Sequence, residues 1–82
     1  MSRRDLAHVL TSLWTLSGGE ADVAVAVSDL DEAIGRGRGD MRTLLNLRSL
    51  GDEGLVIEQA GGWALTAQGV AWIVQDRRLS GR

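Results

Sequence analysis

The 82 residues predict an α+β fold: a core of three helices, a small antiparallel hairpin and a closing helix, in the order α-β-α-α-β-β-α. Three observations carry that prediction. Leucines recur at helical spacing in two segments, residues 3–16 and 40–50. Val23, Val25 and Val27 alternate with alanines between those segments, which favours a short strand. After the second leucine segment, Leu55-Val56-Ile57 and Trp63-Ala64-Leu65 bracket a Gly61-Gly62 pair, which is hairpin chemistry. A chain of this length forms one small domain, 1–82, that buries only about 60–65% of its unfolded surface, and dimerisation is a common remedy for so thin a margin.

Each element has its own justification. Ser2-Arg3-Arg4-Asp5 opens the first helix, expected over 3–16. Leu6, Val9, Leu10, Leu13 and Leu16 fall at i, i+3, i+4, i+7 and i+10, a single apolar stripe. Trp14 sits beside it, His8 lies off it at a solvated position, and Gly18-Gly19 ends the helix. Glu20 to Val27 reads EADVAVAV; a strand is favoured, with a continuous helix as the rival because Ala and Glu are good helix formers. Ser28 is a strong N-cap, with Asp31 three residues on. Residues 29–34 then form a short second helix with Leu30, Ala33 and Ile34 inward.

Gly35-Arg36-Gly37-Arg38-Gly39 links the second helix to the third, flexible in its glycines and cationic in its arginines. Asp40 caps the third helix, whose apolar positions are Met41, Leu44, Leu47 and Leu50. Gly51 or Gly54 stops it in a left-handed conformation. Leu55–Glu58 and Trp63–Thr66 pair around Gln59-Ala60-Gly61-Gly62, the two glycines supplying positive φ angles. Leu55 and Ile57 are expected on one face, with Trp63 and Leu65 on the matching face of the partner strand. Thr66 caps a final helix from Ala67 to Leu79, and residues 80–82 form a frayed tail.

Composition narrows the function. Cys is absent, so no disulfide or thiolate metal site is available, and the lone His8 cannot assemble a zinc or catalytic constellation. Asp29, Asp31 and Glu32 read as early-helix acids favoured by the helix dipole rather than as a metal cluster. Tyr and Lys are also missing, and no nucleophile–base pairing can be drawn, so the expectation is no enzyme, no cofactor, no metal and no small-molecule ligand. Nothing reads as a secretory signal and no apolar run approaches the ~20 residues a membrane span needs. A cytoplasmic protein is expected, without membrane contact.

Net charge is −2, but its distribution is uneven. Residues 1–35 carry two arginines against six acids and residues 51–76 carry four acids and no arginine. Residues 36–50 hold four arginines against one acid, and 77–82 hold three arginines. Positive charge therefore gathers at the third helix, its preceding linker and the tail.

Leu47-Arg48-Ser49-Leu50 followed by Asp52-Glu53-Gly54-Leu55-Val56 resembles the recognition helix and first wing strand of winged helix-turn-helix proteins. Gly61-Gly62-Trp63-Ala64-Leu65-Thr66, with Gly69 close behind, is similar to the aromatic-x-Leu-Thr-x-x-Gly return strand and last-helix start of PadR-, MarR- and ArsR-like transcriptional regulators. The resemblance implies a small regulator that binds double-stranded DNA, nucleoid-associated, with the helix at 40–50 in the major groove.

On an ideal helix Arg42, Asn46, Ser49 and Glu53 share one polar stripe, and Arg and Asn suit guanine and adenine edges. The expected DNA contacts are Arg42 and Asn46 on bases with Ser49 assisting, Arg36, Arg38 and Arg48 mainly on phosphates, and Thr43 also at the DNA. The resemblance also implies a homodimer through the first and last helices, with Leu6, Leu10, Leu13, Trp14, Val70, Trp72 and Ile73 at the interface. Two departures point elsewhere. Leu44 and Leu45 occupy positions that are polar in many such regulators, and the hairpin tip offers Glu58 and Gln59 but no cation. Both leave room for a winged helix that binds protein instead of DNA.

Overall fold

A computed structural model describes residues 3–35 and 41–80. These residues form four helices, α1 (Arg3–Leu16), α2 (Val27–Ile34), α3 (Arg42–Asp52) and α4 (Ala67–Ser80), and two strands, β1 (Val56–Gln59) and β2 (Gly62–Leu65). The α+β class expected from the sequence is the class observed. Among the described residues no helix is long and apolar enough to cross a membrane.

Helices α1, α2 and α3 pack on one another. Val9, Leu10 and Leu13 of α1 meet Leu30 of α2 and Leu47 and Leu50 of α3 in one buried cluster, which Leu55, Val56, Trp63 and Leu65 extend under the sheet. Of the stripe read from α1, Val9, Leu10 and Leu13 are buried and Leu6 partly so, whereas Leu16 at the helix end is exposed.

Helix ends follow the glycines. At the end of α1 the Gly19 N–H donates to the Trp14 carbonyl at 2.8 Å and the Gly18 N–H to Thr15 at 3.3 Å, with φ of 77° and 71° at the two glycines. At the end of α3 the same pair of bonds runs from Leu55 to Leu50 and from Gly54 to Gly51, each 3.0 Å, with Gly54 at φ 79°. These bonds satisfy carbonyls that a helix end otherwise leaves orphaned. Gly54 is thus the stop, and Gly51 lies inside the helix. The expected cap Asp40 lies outside the described residues, and Met41 at the N-cap position makes no side-chain cap bond.

The strand expected at 20–27 is reduced to one residue. Val25 bridges Trp63 through two backbone bonds, 2.8 and 2.9 Å, and the extended run is broken upstream, where Asp22 turns to φ 66°. The Asp22 N–H still donates to the Leu65 carbonyl at 3.0 Å. Helix α2 then begins at once, at Val27, with Ala26 rather than Ser28 at the cap position. The early start turns Val27, Leu30, Asp31 and Ile34 inward, a stripe at i, i+3, i+4 and i+7, and leaves Ala33 exposed, contrary to its expected inward position.

The hairpin pairs Val56 with Leu65, Ile57 with Ala64, Glu58 with Trp63 and Gln59 with Gly62. Its two-residue turn takes positive φ at Ala60 (50°) and Gly61 (78°), not at both glycines. Gly62 serves a different need: a Cβ there would lie 2.5 Å from the Val25 carbonyl oxygen. The core face also differs from expectation. Leu55 and Val56 are buried, whereas Ile57 is exposed, because residues opposite each other share a face and Val56, Leu65 and Trp63 occupy the inner one.

Thr66 caps α4 as its sequence position predicts. Its hydroxyl accepts from the Gly69 N–H at 2.9 Å and donates to the Gly54 carbonyl at 2.6 Å, while the Thr66 N–H donates to Leu55 at 3.1 Å. Gly69 lets the helix approach the Leu55 carbonyl, where a Cβ would collide. The Leu-Thr-x-x-Gly pattern thus fastens the end of α3 to the start of α4.

Candidate nucleic-acid interface

The third helix is rotated relative to its expected setting. Leu47 and Leu50 fix its inner face, and one turn earlier the same face carries Thr43 and Asn46. Both are buried, so Asn46 does not stand on the outward polar stripe expected for it, and Thr43, expected as a DNA contact, also lies inside. Thr43 has a partner in its buried setting, whereas the Asn46 Nδ2 is buried with no hydrogen-bond partner. Met41, expected on the apolar stripe, is 57% exposed, and Leu44 packs partly against the core.

The outer face of α3 presents Arg42, Leu45, Arg48 and Asp52, with Ser49 half-buried among them. Arg42 and Ser49 each make contacts within the protein. Leu45, whose placement the sequence left between DNA, core and partner, is 46% exposed. Arg36 and Arg38 lie outside the described residues. The hairpin offers Glu58 and Ile57 to solvent, both exposed.

Between the first turns of α1 and α3 lies a shallow cavity of about 240 Å³, lined by Asp5, Arg42, Leu45 and Asn46. The sequence gives no hint of it, because its members come from two helices and its amide had been placed on the surface. In α2, Asp31 is buried with Oδ1 unpartnered among the described residues. Among the described residues no three His, Cys, Asp or Glu side chains gather as a metal site would require.

The expected dimer surface is also redrawn. Leu10 and Leu13 of α1 and Ile73 of α4 belong to the buried core. Leu6, Trp14 and Val70 are partly buried against that core, with the Trp14 ring lying over Gly19. Trp72 alone of that set is largely outside, 43% exposed, on the wall of a groove of about 300 Å³ floored by Leu10, Leu50 and Leu55.

Comparison with known proteins gives no match to a family model, a curated protein or a solved structure.

Proposed function

We propose that this chain is a winged helix-turn-helix regulator that binds double-stranded DNA by laying the outer face of α3 in the major groove. One observation carries the reading: both arginines of α3 are exposed on the side turned away from the core. Helices α2 and α3 packed on α1, followed by a β-hairpin, supply an arrangement compatible with that use. Arg42, Leu45 and Ser49 then face base edges, and Arg48 acts on phosphate, joined by Arg36 and Arg38. A homodimer belongs to the same reading, with Trp72 and the groove beside it as the contact.

Gel shifts with random and selected duplexes test this. Arg48→Ala is expected to weaken all sequences alike and to reduce the salt slope by about 0.9, the loss of one phosphate contact. Arg42→Ala is expected to cost roughly 1–3 kcal/mol at one base pair. A parent protein that shifts no duplex at low salt, or arginine variants that bind as the parent does, overturns the proposal.

A second reading has its own observation. Leu45 on α3 and Met41 just before it are exposed large apolar residues beside those arginines, and the hairpin presents Ile57 beside Glu58 with no cation. A module that docks on protein uses such a surface. It forecasts that Leu45→Arg abolishes a protein complex while Arg48→Ala leaves it intact.

A further inference from the structure

Leu47 and Leu50 hold the inner face of α3 against the core, and the outward face carries Met41, Leu45, Arg48 and Asp52 at i, i+4, i+7 and i+11. Met41, just before the helix, already has right-handed helical angles, φ −77° and ψ −6°. The Leu45 N–H donates to the Met41 carbonyl at 3.0 Å. The two side chains therefore stand one turn apart on a single face, about 6 Å along the axis. Met41 is 57% exposed and Leu45 46%, so both can be reached by a partner.

Along this face the chemistry runs from apolar to cationic to acidic. Phosphate repels Asp52 at the far end and attracts Arg48 in the middle, which turns the N-terminal half toward a duplex. The N-terminal residues of a groove-bound helix are also the ones that ordinarily meet base edges. At that end α3 offers two exposed apolar side chains. The major groove has one apolar group to set against them, the C5-methyl of thymine, which 5-methylcytosine also carries. Adenine, guanine and unmethylated cytosine lack it, and covering their edges with Met or Leu leaves donors or acceptors unpaired. An axial offset of about 6 Å spans roughly two base-pair steps of 3.4 Å.

We infer that Met41 and Leu45 read the C5-methyl groups of two pyrimidines about two base pairs apart. The inference rests on the DNA reading of α3 and adds what the helix selects: methyl-bearing pyrimidines, thymine or 5-methylcytosine. It needs nothing from Arg42, which already makes contacts within the protein.

The test begins with a duplex selected from a random pool by the parent protein. Each selected thymine is replaced in turn by deoxyuridine, which removes only the methyl. At two positions this is expected to weaken binding about fourfold, the worth of one buried methyl-sized group. At the same two positions a cytosine–guanine pair is then compared with its 5-methylcytosine form, and the methylated duplex is expected to bind about fourfold tighter.

Leu45→Ala and Met41→Ala, both changes of exposed side chains, should each erase the methyl dependence at one of the two positions and leave the other. If the protein binds DNA yet every thymine tolerates deoxyuridine, this inference is overturned and the DNA reading survives. Methyl dependence that persists in both variants overturns it too, because another group then reads the methyl. If the parent binds no duplex, both readings fall, and a protein complex abolished by Leu45→Arg would assign the apolar pair to protein docking instead.

Discussion

Adjacent glycines of the hairpin, Gly61 in its turn and Gly62 at the start of β2, should respond very differently to alanine. A Cβ at Gly62 would lie 2.5 Å from the Val25 carbonyl oxygen and 2.8 Å from its carbon, so the backbone must retreat by about 0.9 Å to reach the 3.4 Å of ordinary contact. The bridge it would push against is held by two bonds of 2.8 and 2.9 Å, and that retreat takes both beyond hydrogen-bonding distance. Two lost backbone bonds cost about 1 kcal/mol each, overpacking adds ~1–3 kcal/mol, and the stiffer unfolded chain returns up to ~1 kcal/mol. The net loss is about 2–5 kcal/mol, or roughly 10–40 °C in Tm for a domain of this size. Gly61 has nothing within 4 Å but sits at φ 78°, so its alanine variant bears only the left-handed penalty, about 1–2 kcal/mol. Thermal and urea melts followed by tryptophan fluorescence and far-UV circular dichroism compare the two. A Gly62→Ala protein that melts at or above the Gly61→Ala protein would show that Val25 does not press on the hairpin there.

Three further outcomes are expected. Thr66→Val removes the hydroxyl that caps α4 and holds the Gly54 carbonyl, and should cost about 1–2 kcal/mol by urea melt, with Thr66→Ser retaining most of the stability. Asn46→Leu replaces an unpaired buried amide by an apolar side chain of similar size, and should leave Tm unchanged or raise it by a few degrees; a loss beyond about 5 °C would mean the Nδ2 has a partner after all. Trp72→Glu places a charge on the most exposed of the residues expected at the dimer contact, and light scattering at micromolar concentration should then show monomer where the parent shows dimer, whereas a monomeric parent ends the dimer reading.

Where a local signal had no competitor, the sequence was legible. Paired glycines after α1, a threonine followed three residues later by a glycine before α4, and leucines at i, i+3 and i+4 each have a short-range cause and were read correctly. What could not be read depended on a distant partner. The EADVAVAV run has strand chemistry along its length, but its one bridge to β2 is at Val25, with a single further bond from the Asp22 N–H to Leu65, and the turn at Asp22 prevents the ladder from extending. Ser28 is a better cap than Ala26 in isolation, yet α2 must begin before it so that Leu30 reaches the core. Gly62 looked like a turn residue because it follows Gly61. Its need for space is visible only once Val25 lies against it.

The site illustrates the same division more sharply. Read alone, Met41, Leu44, Leu47 and Leu50 define one apolar stripe on α3, and Arg42, Asn46 and Ser49 the polar stripe beside it. Leu47 and Leu50 are the two leucines of α3 that end fully inside, and each carries the residue four positions earlier onto the same face. Those residues are Thr43 and Asn46, so the N-terminal half of the helix turns polar groups inward and leaves Met41 and Leu45 outside. A sequence chosen only for stability would have placed an apolar residue at 46, since an unpaired buried donor costs about 1–3 kcal/mol. The misfit between pattern and packing at Asn46 is therefore a cost set by Leu47 and Leu50, whose burial fixes which residues one turn earlier go inside.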